Sequence, residues 1–156
     1  MQHYVLESKP DRLTTRSNLR RRNVNIPSVL CPFCEDQEES VEYLFTACIM
    51  ANKVWSGFSG WCSAPPLFIF DFKDIMEAHN FSNLSNKAKK IIHGLVIITC
   101  WCIWKGKSEV IFNESNHDSQ DILGEVKSTG FGWLKYRSSF KHIRWVEWCK
   151  YSLYML

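Results

Sequence analysis

Cys31-Pro32-Phe33-Cys34, followed by five acids in residues 35–42 and then by Tyr43-Leu44-Phe45-Thr46-Ala47-Cys48, is the stretch on which the fold turns. Two cysteines separated by Pro-Phe have the bite of a tight knuckle that offers two thiolates to one tetrahedral ion, and a following helix can supply further ligands. Val41, Leu44, Phe45 and Cys48 fall at i, i+3, i+4 and i+7, so they share one face of a helix predicted from about Ser40 to Phe58. That face turns Cys48 toward the knuckle. A Pro65-Pro66 pair stops the pattern after Trp55, Phe58 and Trp61.

Outward from this centre the pattern is helical. Thr14 or Thr15 caps a short basic helix that ends at Arg20-Arg21-Arg22, and Leu67 to His79 reads as a loop and a short helix. A long helix from about Leu84 to Phe112, capped by Asn83 or Ser85, carries Ala88, Ile91, Ile92, Leu95 and Ile98 inward. Another begins near Ser119, with Ile122, Leu123, Val126, Trp133 and Leu134 at helical spacing. The tail residues Trp145, Trp148, Tyr151 and Tyr154 are apolar at every third position and are expected to pack back; Tyr136 and Trp145, at helical spacing, are read as core aromatics ahead of the alternative that they stack on unpaired bases. The predicted fold class is mainly α, with a small CxxC zinc-knuckle hairpin packed on a bundle of three to five helices. Its expected organisation is a basic arm and short helix over 1–26, the knuckle and its helix over 27–62, and a helical C-terminal part of the same domain over 63–156.

Composition agrees with a packed chain. With 156 residues, 46% of them hydrophobic and 14% aromatic, there is enough apolar surface for one core. Seven cysteines form an odd set, and Met1 to Lys9 has no apolar character of a secretory signal, which points to a reducing, intracellular setting, nuclear or cytoplasmic. The apolar run Ile91 to Trp104 is shorter than the roughly 20 residues that span a bilayer, so neither a membrane segment nor a membrane partner is expected. Cys62, Cys100, Cys102 and Cys149 read as buried fillers. The net charge of +3 is unevenly placed: residues 1–26 carry six bases and two acids, and residues 127–150 carry six bases and one acid. Two basic ends around an acidic middle suit contact with a polyanion.

Taken together, Arg12 to Leu19, Cys31 to Cys34, Glu39 to Cys48, Trp101 to Phe112 and Trp133 to Cys149 resemble the zinc-binding domain found at the C-terminal end of plant LINE-type (non-LTR) retrotransposon reverse transcriptases. The resemblance implies a zinc site on Cys31, Cys34, the position of Tyr43, and Cys48, where Tyr43 stands in place of the family's histidine. Two readings of the residues stay open. In one, three thiolates hold zinc with water, Glu42 or Glu39 in the fourth position, or with recruitment of His79 or His93; in the other, the site is vacated.

The resemblance also implies a detached accessory domain, truncated before Lys9, without its polymerase. No Asp-Asp pair, phosphate loop or nucleophile triad is present in the sequence, and no enzyme activity or small-molecule substrate is expected. The expected partners are RNA or DNA, held without sequence preference by Arg16, Arg20, Arg21 and Arg22 and by Lys135, Arg137, Lys141 and Arg144, and a retroelement polymerase. The alternatives are a structural or protein-interaction module and a non-functional retroelement relic.

Overall fold

The computed structural model describes residues 13–67, 69–80, 83–113, 117–137, 140 and 142–154, with the side chain of Arg137 left out. Thr15 starts the first helix, α1 (Arg16–Arg21), by accepting the amide of Asn18 with its hydroxyl. Asn23 then turns the chain with a positive φ of 58°, a conformation that asparagine tolerates better than most residues. Next comes the knuckle hairpin. Leu30 and Glu38 form one antiparallel bridge, the Cys31 amide donates to Gln37 at 2.8 Å, and the Glu39 amide donates to Val29 at 2.8 Å.

The helix expected from Ser40 to Phe58 is broken, and the break serves the knuckle. Tyr43–Ala47 form a π-helical turn in which the Cys48 amide reaches back to the Tyr43 carbonyl at 2.9 Å. Cys48 itself is extended, with φ −62° and ψ 131°, and becomes the residue that caps a new helix, α2 (Ile49–Trp61). Val41, Leu44, Phe45 and Cys48 are nevertheless all buried, so the inward face persists through the break.

A short helix α3 (Phe72–Glu77) is closed at its start by reciprocal bonds between Asp71 and Asp74. The long helix α4 (Asn86–Asn113) starts where Ser85 Oγ accepts the Ala88 amide, and its 28 residues run for about 42 Å. Asp118 accepts the amides of Gln120 and Asp121 to start α5 (Ser119–Arg137). Helix α5 packs against both α2 and α4, and the short α6 (Trp145–Lys150) folds back onto it. The tail therefore packs as expected at Trp148, which is fully buried. Its indole donates to the Lys127 carbonyl at 2.7 Å, and Trp61 donates to the Trp148 carbonyl at 2.7 Å. The fold is mainly α, and none of the described helices is long and apolar enough to cross a membrane.

The α4–α5 crossing depends on a missing side chain. A Cβ on Gly94 would lie 2.2 Å from the Trp133 ring, whereas one on Gly124 would meet nothing within 4 Å. Replacing a mid-helix glycine by alanine gains roughly 0.8–1 kcal/mol of helix propensity, while forcing atoms into a packed contact costs about 1–3 kcal/mol. Gly124→Ala is therefore expected to raise the urea midpoint and Gly94→Ala to lower it; equal shifts at the two sites would show that Trp133 gives way freely.

Candidate metal centre

Two structural elements deliver the three cysteines. Cys31 lies at the start of the hairpin, Cys34 at its tip, where the Glu35 amide donates back to the Cys31 carbonyl at 2.8 Å, and Cys48 at the start of α2. Their sulfurs all lie within 4.8 Å of one another, and no other such group of three ligating side chains exists among the described residues. The Cys31 and Cys48 sulfurs are 3.8 Å apart. Two thiolates on one tetrahedral zinc, with bonds of about 2.3 Å, would be separated by about 3.8 Å. The donor set therefore fits zinc at three corners.

The electrostatics favour a cation between Cys31 and Cys48. Cys48 is lowered to about 6, first because the Cys31 thiol donates to it, and also because the first-turn amides of Ala51 and Met50 stabilise its thiolate. Cys31 is pushed strongly upward, first by that same bond to Cys48 and then by burial. The pair thus shares one proton, at a place where a metal ion would substitute for it. Cys31 and Cys48 are both fully buried, while Cys34 is half-buried.

Beside Cys34 lies an oxygen. Ser40 Oγ accepts the Tyr43 amide at 3.0 Å, and the Tyr43 phenol reaches to 3.2 Å from Cys34 Sγ. Its pKa is raised, first by the hydrogen bond with Cys34 and then by desolvation. The carboxylates considered as substitutes point elsewhere. Glu42 Oε1 accepts the Phe72 amide at 2.7 Å, closing the start of α3, and Glu39 is fully buried beside Lys107. His79 and His93 meet each other instead, their rings edge to face at 4.6 Å, with His79 Nδ1 3.0 Å from the Met76 carbonyl.

The Glu39–Lys107 pair escapes a reading of the sequence. Glu39 Oε1 lies 3.0 Å from Lys107 Nζ, with side-chain exposures of 0% and 3%. Glu39 Oε2 also accepts the Arg16 amide at 2.9 Å, and Lys107 Nζ donates to the Thr14 carbonyl at 2.9 Å. The pair fastens α1 and the hairpin to α4. The available signal was a lysine at i+4 and i+7 from the buried Ile103 and Cys100.

The basic residues divide. Arg16 donates to the Leu30 carbonyl at 2.7 Å and Arg20 pairs with Glu38 at 2.8 Å, so both brace the hairpin. Arg21 and Arg22 are exposed at the end of α1. At the other end Lys135 Nζ lies 5.3 Å over the Phe131 ring, and Arg144, 76% exposed, is 3.9 Å from Glu147. The Arg137 side chain and Lys141 lie outside the described residues. Contrary to the expectation of core positions, Tyr136 is 81% and Trp145 46% exposed, because each sits at a helix end whose inward face is filled by Leu134 and Trp148. Cys62, Cys100 and Cys102 are buried fillers as expected; burial raises all three thiols, Cys62 and Cys102 to about 12. Cys149 is half-buried.

No curated protein and no solved structure shows significant similarity to the chain. A family model does match. Residues 1–55, about a third of the chain, match the family described as zinc-binding in reverse transcriptase, a description of the zinc-binding part and not of the polymerase. The matched segment holds all three cysteines of the tripod together with Tyr43, and over these residues the chain is similar to the zinc-binding domain of reverse transcriptases.

Proposed function

We propose that the chain is a non-catalytic zinc-binding module of the kind attached to LINE-type retrotransposon reverse transcriptases, and that it grips RNA or DNA without reading sequence. The observation that carries this reading is the convergence of Cys31, Cys34 and Cys48 inside the segment matched to the zinc-binding family. Zinc, held by those cysteines, supplies a cross-link between the hairpin and the start of α2. Its role here is to hold shape, as expected of a structural site. In this role the module works in the nucleus or cytoplasm beside a retroelement polymerase.

The nucleic-acid part of the proposal draws support from the α5–α6 end. Tyr136 and Trp145 present exposed rings beside Lys135 and Arg144. Bases that are not paired can stack on such rings while the cations neutralise phosphates. The test is fluorescence anisotropy of labelled single-stranded RNA, single-stranded DNA and duplex, at several salt concentrations and with zinc-loaded protein. Affinity is expected to fall steeply with salt and to show little sequence preference. Arg21→Glu and Arg144→Glu should each weaken binding, and Tyr136→Ala or Trp145→Ala should cost about 1–3 kcal/mol on single strands. Salt-insensitive binding, or none, removes nucleic acid from the reading. A protein-interaction module is then favoured, on the exposure of Phe70 at 85% and Phe112 at 81%.

A further inference from the structure

We propose that the Cys31, Cys34 and Cys48 tripod selects thiophilic ions that are complete with three sulfur donors, trivalent arsenic being the representative, over zinc. The inference rests on the metal-site reading above and narrows it to a class of ion. Three sulfurs lie within 4.8 Å of one another, two of them fully buried. Among the described residues no fourth ligating His, Cys, Asp or Glu joins the cluster, and the Tyr43 phenol is hydrogen-bonded to Cys34 at 3.2 Å. Two carboxylates of the same segment are committed to other partners, Glu42 to the Phe72 amide and Glu39 to Lys107. Zinc prefers a fourth strong donor, and the cluster among the described residues supplies three.

A trivalent arsenic centre has a different requirement. It binds three thiolates as a pyramid, and its lone pair fills the fourth direction, so the phenol need not ligate. In the reaction with arsenous acid three As–O bonds break and three As–S bonds form. The three hydroxides leave as three waters, taking the protons of the two cysteines that carry one and a third proton from solvent in place of the one that the Cys48 thiolate lacks. Arsenic stays trivalent, and neither oxidant nor reductant is needed. Charge points the same way: three thiolates with trivalent arsenic are neutral, whereas three with zinc carry one negative charge, which is costlier to bury. Soft sulfur donors favour soft ions in any case.

The test uses the full chain, reduced with a phosphine, loaded with zinc and titrated with arsenite. Zinc release is followed with a chromophoric chelator and arsenic uptake by intact mass. The wild type is expected to take up one arsenic per chain, and Cys34→Ser none, with circular dichroism showing whether that variant remains folded. Tyr43→Phe should bind arsenic as the wild type does, because the phenol oxygen is not a ligand for it. The arsenite concentration that releases half the zinc should be at least about tenfold lower for the wild type than for Tyr43→His. Equal resistance of those two proteins would overturn the proposal and leave the zinc reading intact, as would a loss of arsenic uptake in Tyr43→Phe. Arsenic uptake by a chain that does not hold zinc would sink the zinc reading and sustain this one. Failure to bind either ion would end both.

Discussion

Tyr43→His is expected to raise zinc affinity by about a hundredfold. A structural zinc site with four protein ligands is worth about 10–16 kcal/mol, so one ligand in four accounts for roughly 3 kcal/mol, or about two decades of affinity. The wild-type residue is poorly suited to supply that share. A phenol must lose its proton to become a strong ligand, and Tyr43 is pushed above its ordinary value, first by the hydrogen bond with Cys34. An imidazole offers a lone pair at neutral pH without that cost. The side chain of position 43 already ends at 3.2 Å from Cys34 Sγ, on the cysteine cluster. A chelator competition titration measures the change. At a fixed excess of free zinc, the tighter site should also add about 2.7 kcal/mol to stability and raise the melting temperature by roughly 5–10 °C. Unchanged affinity would mean that position 43 does not face the ion.

Much of this arrangement was legible because it depends on local chemistry. The apolar spacing of Ile91, Ile92, Leu95 and Ile98 marked the long helix, and Ser85, Thr15 and the residues around Asp118 marked the starts of three helices. The Cys31-Pro32-Phe33-Cys34 run announced a hairpin, and its cysteines are joined by Cys48 as the buried face of residues 41–48 predicted. The π turn at Tyr43–Ala47 was hidden for a physical reason: it adds a residue to the turn and releases Cys48 from the helix while keeping the same side chains inward. The exposure of Tyr136 and Trp145 was hidden too, since apolar spacing alone does not say where a helix outruns the surface it packs on. Nor does an acidic run reveal that Glu39 is buried and Glu42 closes α3, because each carboxylate's fate is set by a partner 68 or 30 residues away.

That distant partner makes the second large effect. Lys107→Met should destabilise the chain by about 3–5 kcal/mol, because it leaves the fully buried Glu39 carboxylate without its cation. Glu39→Leu should do comparable harm by stranding the ammonium. Against a typical total stability of roughly 5–15 kcal/mol, either change removes a large fraction. The double variant Glu39→Leu/Lys107→Met separates the pair from its surroundings. With both charges gone the ionic penalty disappears, but the Arg16 amide and the Thr14 carbonyl lose their partners, at about 1–3 kcal/mol each if they stay dry. The double variant should therefore be less stable than wild type yet lose clearly less than the sum of the single losses. Urea unfolding at saturating zinc, followed by circular dichroism, gives all three values on one scale. Simple additivity would show that the two side chains do not act as a pair. A coupling of about 2 kcal/mol or more would show that the hairpin carrying the cysteines is fastened to α4 by charge, and that the matched third of the chain owes its shape to a residue lying outside it.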